Sequence, residues 1–275
     1  MSLALAPVLT AAEAAIYESL VVSRYMQAFG NSAVPMLIPH SPAIVAQLCC
    51  RTGYPAALIA QQLPGCSVTG VDSSRAALEL ARTKASLISN INVKYVPAEA
   101  VPTPLQGEAF THSIDLHPFG VRGDYRDIFA EHHRLLTQAG QMVMSLPLRG
   151  SFPEVYDILR EYALRHDQPH FGEAVDAAAG GRPNPETLAN QIEAAGFYDV
   201  DVGIEMVAIR FENGRDFLED PISRLVVAPE ILGSLSVDNG RDAAWAYAHD
   251  AIGKYWSEIP FELTVNIGSV SARKG

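Results

Sequence analysis

Few side chains in this sequence stand where they could do chemistry, and most of them lie between residues 47 and 117. The stretch AQLCCRTGY sets Cys49 and Cys50 beside Arg51. A neighbouring cation lowers a thiol pKa, so the pair reads either as reactive or as two small apolar groups closing a buried strand. The second reading suits free cysteine better. Asp72 ends the run CSVTGVD and is followed by Ser73 and Ser74. A carboxylate there can accept two hydrogen bonds from a ligand, or cap the helix that SSRAAL begins. His132 and His133 fall inside an amphipathic helix, where at most one can face the core. His166 and His170 are four apart, but the intervening DQP breaks the helix that would align them. No third ligand accompanies them and no cysteine spacing resembles a zinc site, so no metal is expected. The G-x-S-x-G elbow, the P-loop and the G-x-G-x-x-G fingerprint are all missing from the sequence.

The elements that must position these residues alternate. A helix over 10–28 carries Thr10 as its N-cap, with Gly30 close behind its end. AIVAQLCC is a buried strand, YPAALIAQQL a helix stopped at Pro64-Gly65, and CSVTGVD a second strand. SSRAALELARTKASLI is a helix, INVKYV a third strand and AFTHSIDLH a fourth. DYRDIFAEHHRLLTQAG reads as a helix to Gly140, followed by the strand QMVMSLPL. This order over 43–148 is the signature of βαβ units in a parallel sheet covered on both faces. Two further helices and the strands near YDVDVGIEMVAIRF and FELTVNIGSVSAR follow, with an insertion of roughly fifty residues between those strands.

Composition bounds the function. The 275 residues have a hydrophobic fraction of 48% and a charged fraction of 19%, ordinary for a soluble globular chain. Thirty-one acidic against twenty basic residues give a formal charge of −11, which argues against a nucleic-acid partner. The apolar N-terminus holds Glu13 and Glu18 and lacks a basic leader, so it reads as an amphipathic helix and no membrane association is expected. Three cysteines make no disulfide framework, which points to a reducing, cytoplasmic setting.

The order of elements resembles the class I S-adenosylmethionine (SAM) dependent methyltransferases, in particular the branch acting on small molecules. VTGVDSSRAALELARTKA is similar to that family's second strand and following helix. LLTQAGQMVMSLPL and PETLANQIEAAGFYDVDV are similar to its later segments. The resemblance implies an α/β, Rossmann-like fold: a seven-stranded, mostly parallel sheet with an antiparallel last strand beside the fifth, an N-terminal helix and a helical lid. It implies one domain over 1–275. Residues 1–42 would be a helical lead, 43–148 the SAM-binding-type core and 149–275 lid insertions and C-terminal strands, with the lid built from 151–184 and 211–257.

The family's first strand ends in an acidic residue followed by Gly-x-Gly-x-Gly, whose glycines let backbone pass close to the cofactor. Here the acidic place falls on Gln47 and the glycine places on Cys49, Arg51 and Gly53. The resemblance implies that Asp72, with Ser73 beside it, takes the ribose hydroxyls and that Glu99 lies by the adenine amino group. Asp115 and His117 would lie near the transferred methyl, and Tyr17 and Tyr25 would fold over the site. Arg51 is open to three readings: a plug paired with Asp72, Asp115 or Glu99, a solvent-facing side chain, or an anion site shared with Arg149. The joint departure at Gln47, Cys49 and Arg51 makes SAM binding doubtful. The expectation that follows is a methyltransferase-fold protein with an eroded SAM site, serving as a non-catalytic small-molecule-binding or protein-interaction module, as a homo-oligomer or with a protein partner. The alternative is an active SAM-dependent small-molecule methyltransferase with an atypical cofactor loop.

Overall fold

The computed structural model describes residues 3–4, 7–88, 92–118, 124–237 and 240–275. Seven strands form the main sheet. They are β1 (Ile44–Leu48), β2 (Ser67–Asp72), β3 (Asn92–Pro97), β4 (Phe110–Leu116), β5 (Leu136–Pro147), β6 (Phe197–Phe211) and β7 (Phe261–Lys274). Their order is β3-β2-β1-β4-β5-β7-β6, so the direction of winding reverses between β1 and β4. The ladders β1–β2, β1–β4, β2–β3 and β4–β5 are parallel. The last strand enters antiparallel beside the fifth, as expected from the sequence. Val45, Ala46, Leu48, Ile114 and Met142 to Met144 have no exposed surface, because helices cover the parallel strands on both faces. The expected third strand INVKYV begins at Ile91, outside the described residues; the strand runs from Asn92.

Two glycines read as helix stops have other work. Helical structure continues past Gly30 through Gln27–Ala33 to Met36. A side chain on Gly30 would collide with the Tyr54 ring, so this glycine allows a close approach. The helix read to Gly140 ends at Leu135, and β5 starts at Leu136. The register shifts between the Phe110–Leu136 pair and the His112–Gln141 pair, so residues 137–140 form a bulge. Gly140 sits in that bulge, where a Cβ would stand 2.8 Å from the Thr137 carbonyl oxygen.

The chain forms two compact units. The first comprises 1–146, 185–205 and 267–275 and holds most of the sheet. Its helical lead opens with a capping box: Thr10 Oγ1 accepts from the Glu13 amide (3.2 Å), and Glu13 accepts from the Thr10 amide (2.8 Å). The following turns, Tyr17–Met26, are π-helical and bury Tyr17, Val21, Val22, Tyr25 and Met26. The second unit comprises 147–184 and 206–266. There the helices Pro153–Arg165, Pro169–Gly181 and Arg241–Tyr255 pack together, and Phe217 stacks on Phe261 at 4.3 Å. Inside it Arg182 pairs with Glu230 and lies over the Phe152 ring. Among the described residues no helix is long and apolar enough to cross a membrane.

Candidate cofactor-binding site

The turn after β1 keeps the backbone shape of a glycine loop. Cys49, Arg51 and Gly53 have φ of 47°, 46° and 85°, so all three lie in the left-handed region. For Cys49 and Arg51 that conformation costs roughly 1–2 kcal/mol each, because Cβ crowds the following carbonyl. The hydrogen bonds that hold the turn include Cys50 N to Val71 O (3.0 Å), Gly53 N to Cys50 O (2.7 Å), Arg51 N to Asp72 Oδ2 (2.9 Å) and Lys84 Nζ to Thr52 O (3.0 Å). Gly53 is required on two counts, since a Cβ there would also stand 2.5 Å from the Tyr95 hydroxyl.

Asp72 closes β2 with no exposed surface. Besides the Arg51 amide it accepts the Ser74 amide on Oδ1 (2.8 Å) and the Arg51 guanidinium, Nη1 to Oδ1, at 3.4 Å. The carboxylate thus steadies the helix start through the Ser74 amide and the loop through Arg51. Ser74, not Ser73, caps the helix Arg75–Ser86, and its hydroxyl also donates to the Leu9 carbonyl (2.9 Å). Arg51 is 3% exposed, donates Nη1 to the Pro7 carbonyl (2.8 Å) and lies 5.4 Å from the Tyr17 ring centroid. It is therefore a buried partner of Asp72 and does not face solvent. Arg149 is exposed and donates Nε to the Arg182 carbonyl (3.3 Å).

Burial holds the Cys49 and Cys50 thiols well above their ordinary range, with the nearby carboxylates adding to the effect. These are core thiols with no thiolate character. Gln47 is buried and donates Nε2 to the Tyr54 carbonyl (2.6 Å), while its Oε1 has no hydrogen-bond partner among the described residues. Across the reversal point, Asp115 has no exposed surface and lies in register with Leu48. Burial pushes its pKa up to about 7, partly countered by a hydrogen bond from the Cys49 thiol, while Asp72 pushes it up further. Among the described residues no N–H or O–H donor reaches either Asp115 oxygen. His117, at φ 60°, shares a 2.8 Å hydrogen bond between Nε2 and the Tyr25 hydroxyl, with the Phe29 ring 5.0 Å away.

Ser73 and Glu99 line a cleft of about 470 Å³ together with Arg75, Pro97 and Thr103. That size is within the usual range for small-ligand sites. The wall at Thr103 is fixed from below by Glu131, which accepts the Thr103 amide (2.9 Å) and hydroxyl (2.6 Å). Burial opposes the Glu131 charge, yet donors from Arg134 and Thr103 hold its pKa below the usual value. This support, Tyr95 and the crossing of Leu9 over Ser74 were not read from the sequence. Each is a contact between distant segments and leaves no local pattern. His132 is buried and shares a 2.8 Å hydrogen bond between Nδ1 and the Ser113 hydroxyl; burial lowers its pKa to about 4, so it is neutral core. Among the described residues no three metal-ligating side chains gather.

A family of methyltransferase domains matches residues 45–140. A demethylmenaquinone methyltransferase of Thermus thermophilus is 27% identical over 178 residues, covering 60% of this chain and 79% of that protein. YcgJ protein from Bacillus subtilis superposes with a TM-score of 0.57 at 14% identity, covering 88% of this chain and 95% of the other. A phosphoethanolamine N-methyltransferase of Haemonchus contortus, solved with S-adenosylhomocysteine, gives 0.53 at 16% identity, over 96% of this chain and 57% of that one. Sequence match and strand order agree: residues 45–140 match a methyltransferase domain, and the sheet has the strand order of the class I S-adenosylmethionine-dependent methyltransferase fold.

Proposed function

We propose that this chain binds SAM at the C-terminal edge of β1, β2 and β4 and methylates a small acceptor. The observation that carries this reading is the left-handed backbone at residues 49, 51 and 53, kept although two of the three glycines are gone. Strained non-glycine residues persist where the surroundings over-determine them, and such places cluster at ligand sites. The rest of the donor set fits the cofactor. The Ser73–Glu99 cleft suits its adenine end, and Asp72 suits the ribose. An ionised carboxylate has about four lone-pair sites. Among the described residues three donors reach Asp72, which leaves room for a hydroxyl.

The bound cofactor would supply an activated methyl group on a sulfonium. The protein's part is to align acceptor and methyl and to keep water out, so positioning carries most of the rate. Tyr17, Tyr25 and Phe29, all buried on the helical lead, form the apolar roof for this task. The His117–Tyr25 hydrogen bond holds an exchangeable proton beside it. The demethylmenaquinone methyltransferase relatives support an aromatic, quinone-like acceptor.

A second reading, a non-catalytic ligand-binding module, is favoured by the Arg51 guanidinium resting on Asp72. Incubation with SAM and a demethylated quinone, read by mass spectrometry, separates the two. Methylated product with S-adenosylhomocysteine supports methylation. Cofactor binding without product on any quinone or phenol tested favours the module.

A further inference from the structure

We infer that Asp115 receives the α-ammonium group of the cofactor, supplying from β4 the negative charge that Gln47 does not supply from β1. The inference rests on the SAM-binding reading above. In this sheet β1 and β4 are neighbours where the strand order reverses, and ligands of open α/β sheets bind in the crevice at such a point. Leu48 and Asp115 are register partners at the carboxyl ends of those two strands. The carboxylate is fully buried, and the thiol of Cys49 is the donor it has. A buried carboxylate facing a weak donor and a second carboxylate, Asp72, lacks the charge compensation that buried ions need.

The cofactor carries two positive groups. Its sulfonium has no proton to give, whereas its ammonium has three N–H donors, and a carboxylate is an acceptor. Gln47 Oε1, also buried and without a partner among the described residues, is a neutral acceptor at the adjoining register position, Gln47–Ile114. Arg51 is committed to Asp72 and the Pro7 carbonyl. The titratable groups facing Asp115 are Cys49 from the loop and Asp72 from β2. With a pKa of about 7 in the free protein, Asp115 is mostly protonated at pH 6 and would give up that proton to pair with an ammonium.

The test is calorimetric titration of wild type and Asp115→Asn with SAM, S-adenosylhomocysteine and 5′-methylthioadenosine, which lacks the amino-acid arm. The expected result is a loss of roughly 10- to 100-fold for the first two ligands alike, with methylthioadenosine unchanged, since one charged hydrogen-bond set is removed. Wild type is also expected to release a proton on binding S-adenosylhomocysteine at pH 6 and none on binding methylthioadenosine. Unchanged affinity for S-adenosylhomocysteine in the variant overturns the assignment, as does a loss confined to SAM or one shared by methylthioadenosine. If the variant does not fold, the proton count in wild type decides. If wild type binds none of the three, the SAM-binding reading itself has failed, a result distinct from any Asp115 effect.

Discussion

At the scale of single residues, Arg51 and Asp115 carry opposite consequences for the site. Arg51 occupies one acceptor position of Asp72 and so reduces what the carboxylate can offer a ligand to a single further hydroxyl. Arg51→Gly is expected to destabilise the free protein by about 2–4 kcal/mol. It breaks a buried ion pair but places the residue suited to φ 46°. Cofactor affinity should rise severalfold, read by titration; a fall would make Arg51 a cofactor ligand. For Asp115 the folded pKa of about 7 lies above the ordinary 3.8, so between those values the folded state holds a proton that the unfolded chain has lost. Stability therefore declines as pH rises through this window and levels off above 7. Asp115→Asn should gain on wild type by up to about 1.4 kcal/mol per pH unit between pH 5 and 7, measured by urea denaturation. A constant difference across that range would contradict the shift.

At the scale of elements, the Cys49–Gly53 turn is held by what lies behind it. Gly53→Ala meets both a φ of 85° and the Tyr95 hydroxyl, and should lower the urea midpoint by an amount worth about 1–3 kcal/mol with an unchanged slope. Thr10→Ala removes one half of the capping box and should cost about 1 kcal/mol of stability. The strands and their order were legible because burial on both faces leaves near-continuous apolar runs such as AIVAQL and QMVMSL. The boundaries at Gly30 and Gly140 were not, because a glycine serves a helix stop, a close contact and a bulge equally well, and only the distant partner decides. Asp72 at the end of a strand was legible from the apolar run before it, whereas the roles given to Asp72, Ser73 and Glu99 came from the resemblance alone and the cleft was not read. The geometry of the Cys49–Gly53 turn did not, since residue type predicts its opposite: two non-glycine residues sit at left-handed φ. Arg51 could be placed at the loop from sequence, but its direction depends on Pro7 and Tyr17, dozens of residues away.

At the scale of the whole molecule, the proposed methylation requires the first compact unit to take up the cofactor. A ligand that binds the native state alone stabilises it by about 2.7 kcal/mol at a hundredfold excess over Kd. For a chain of this size that is roughly a 5–10 °C rise in melting temperature. The deciding measurement is calorimetry of the wild-type chain with S-adenosylhomocysteine, paired with thermal unfolding at saturation. Saturable binding at one site per chain and a Tm rise in that range are expected. No heat of binding and no change in Tm at millimolar ligand would contradict the proposed methylation.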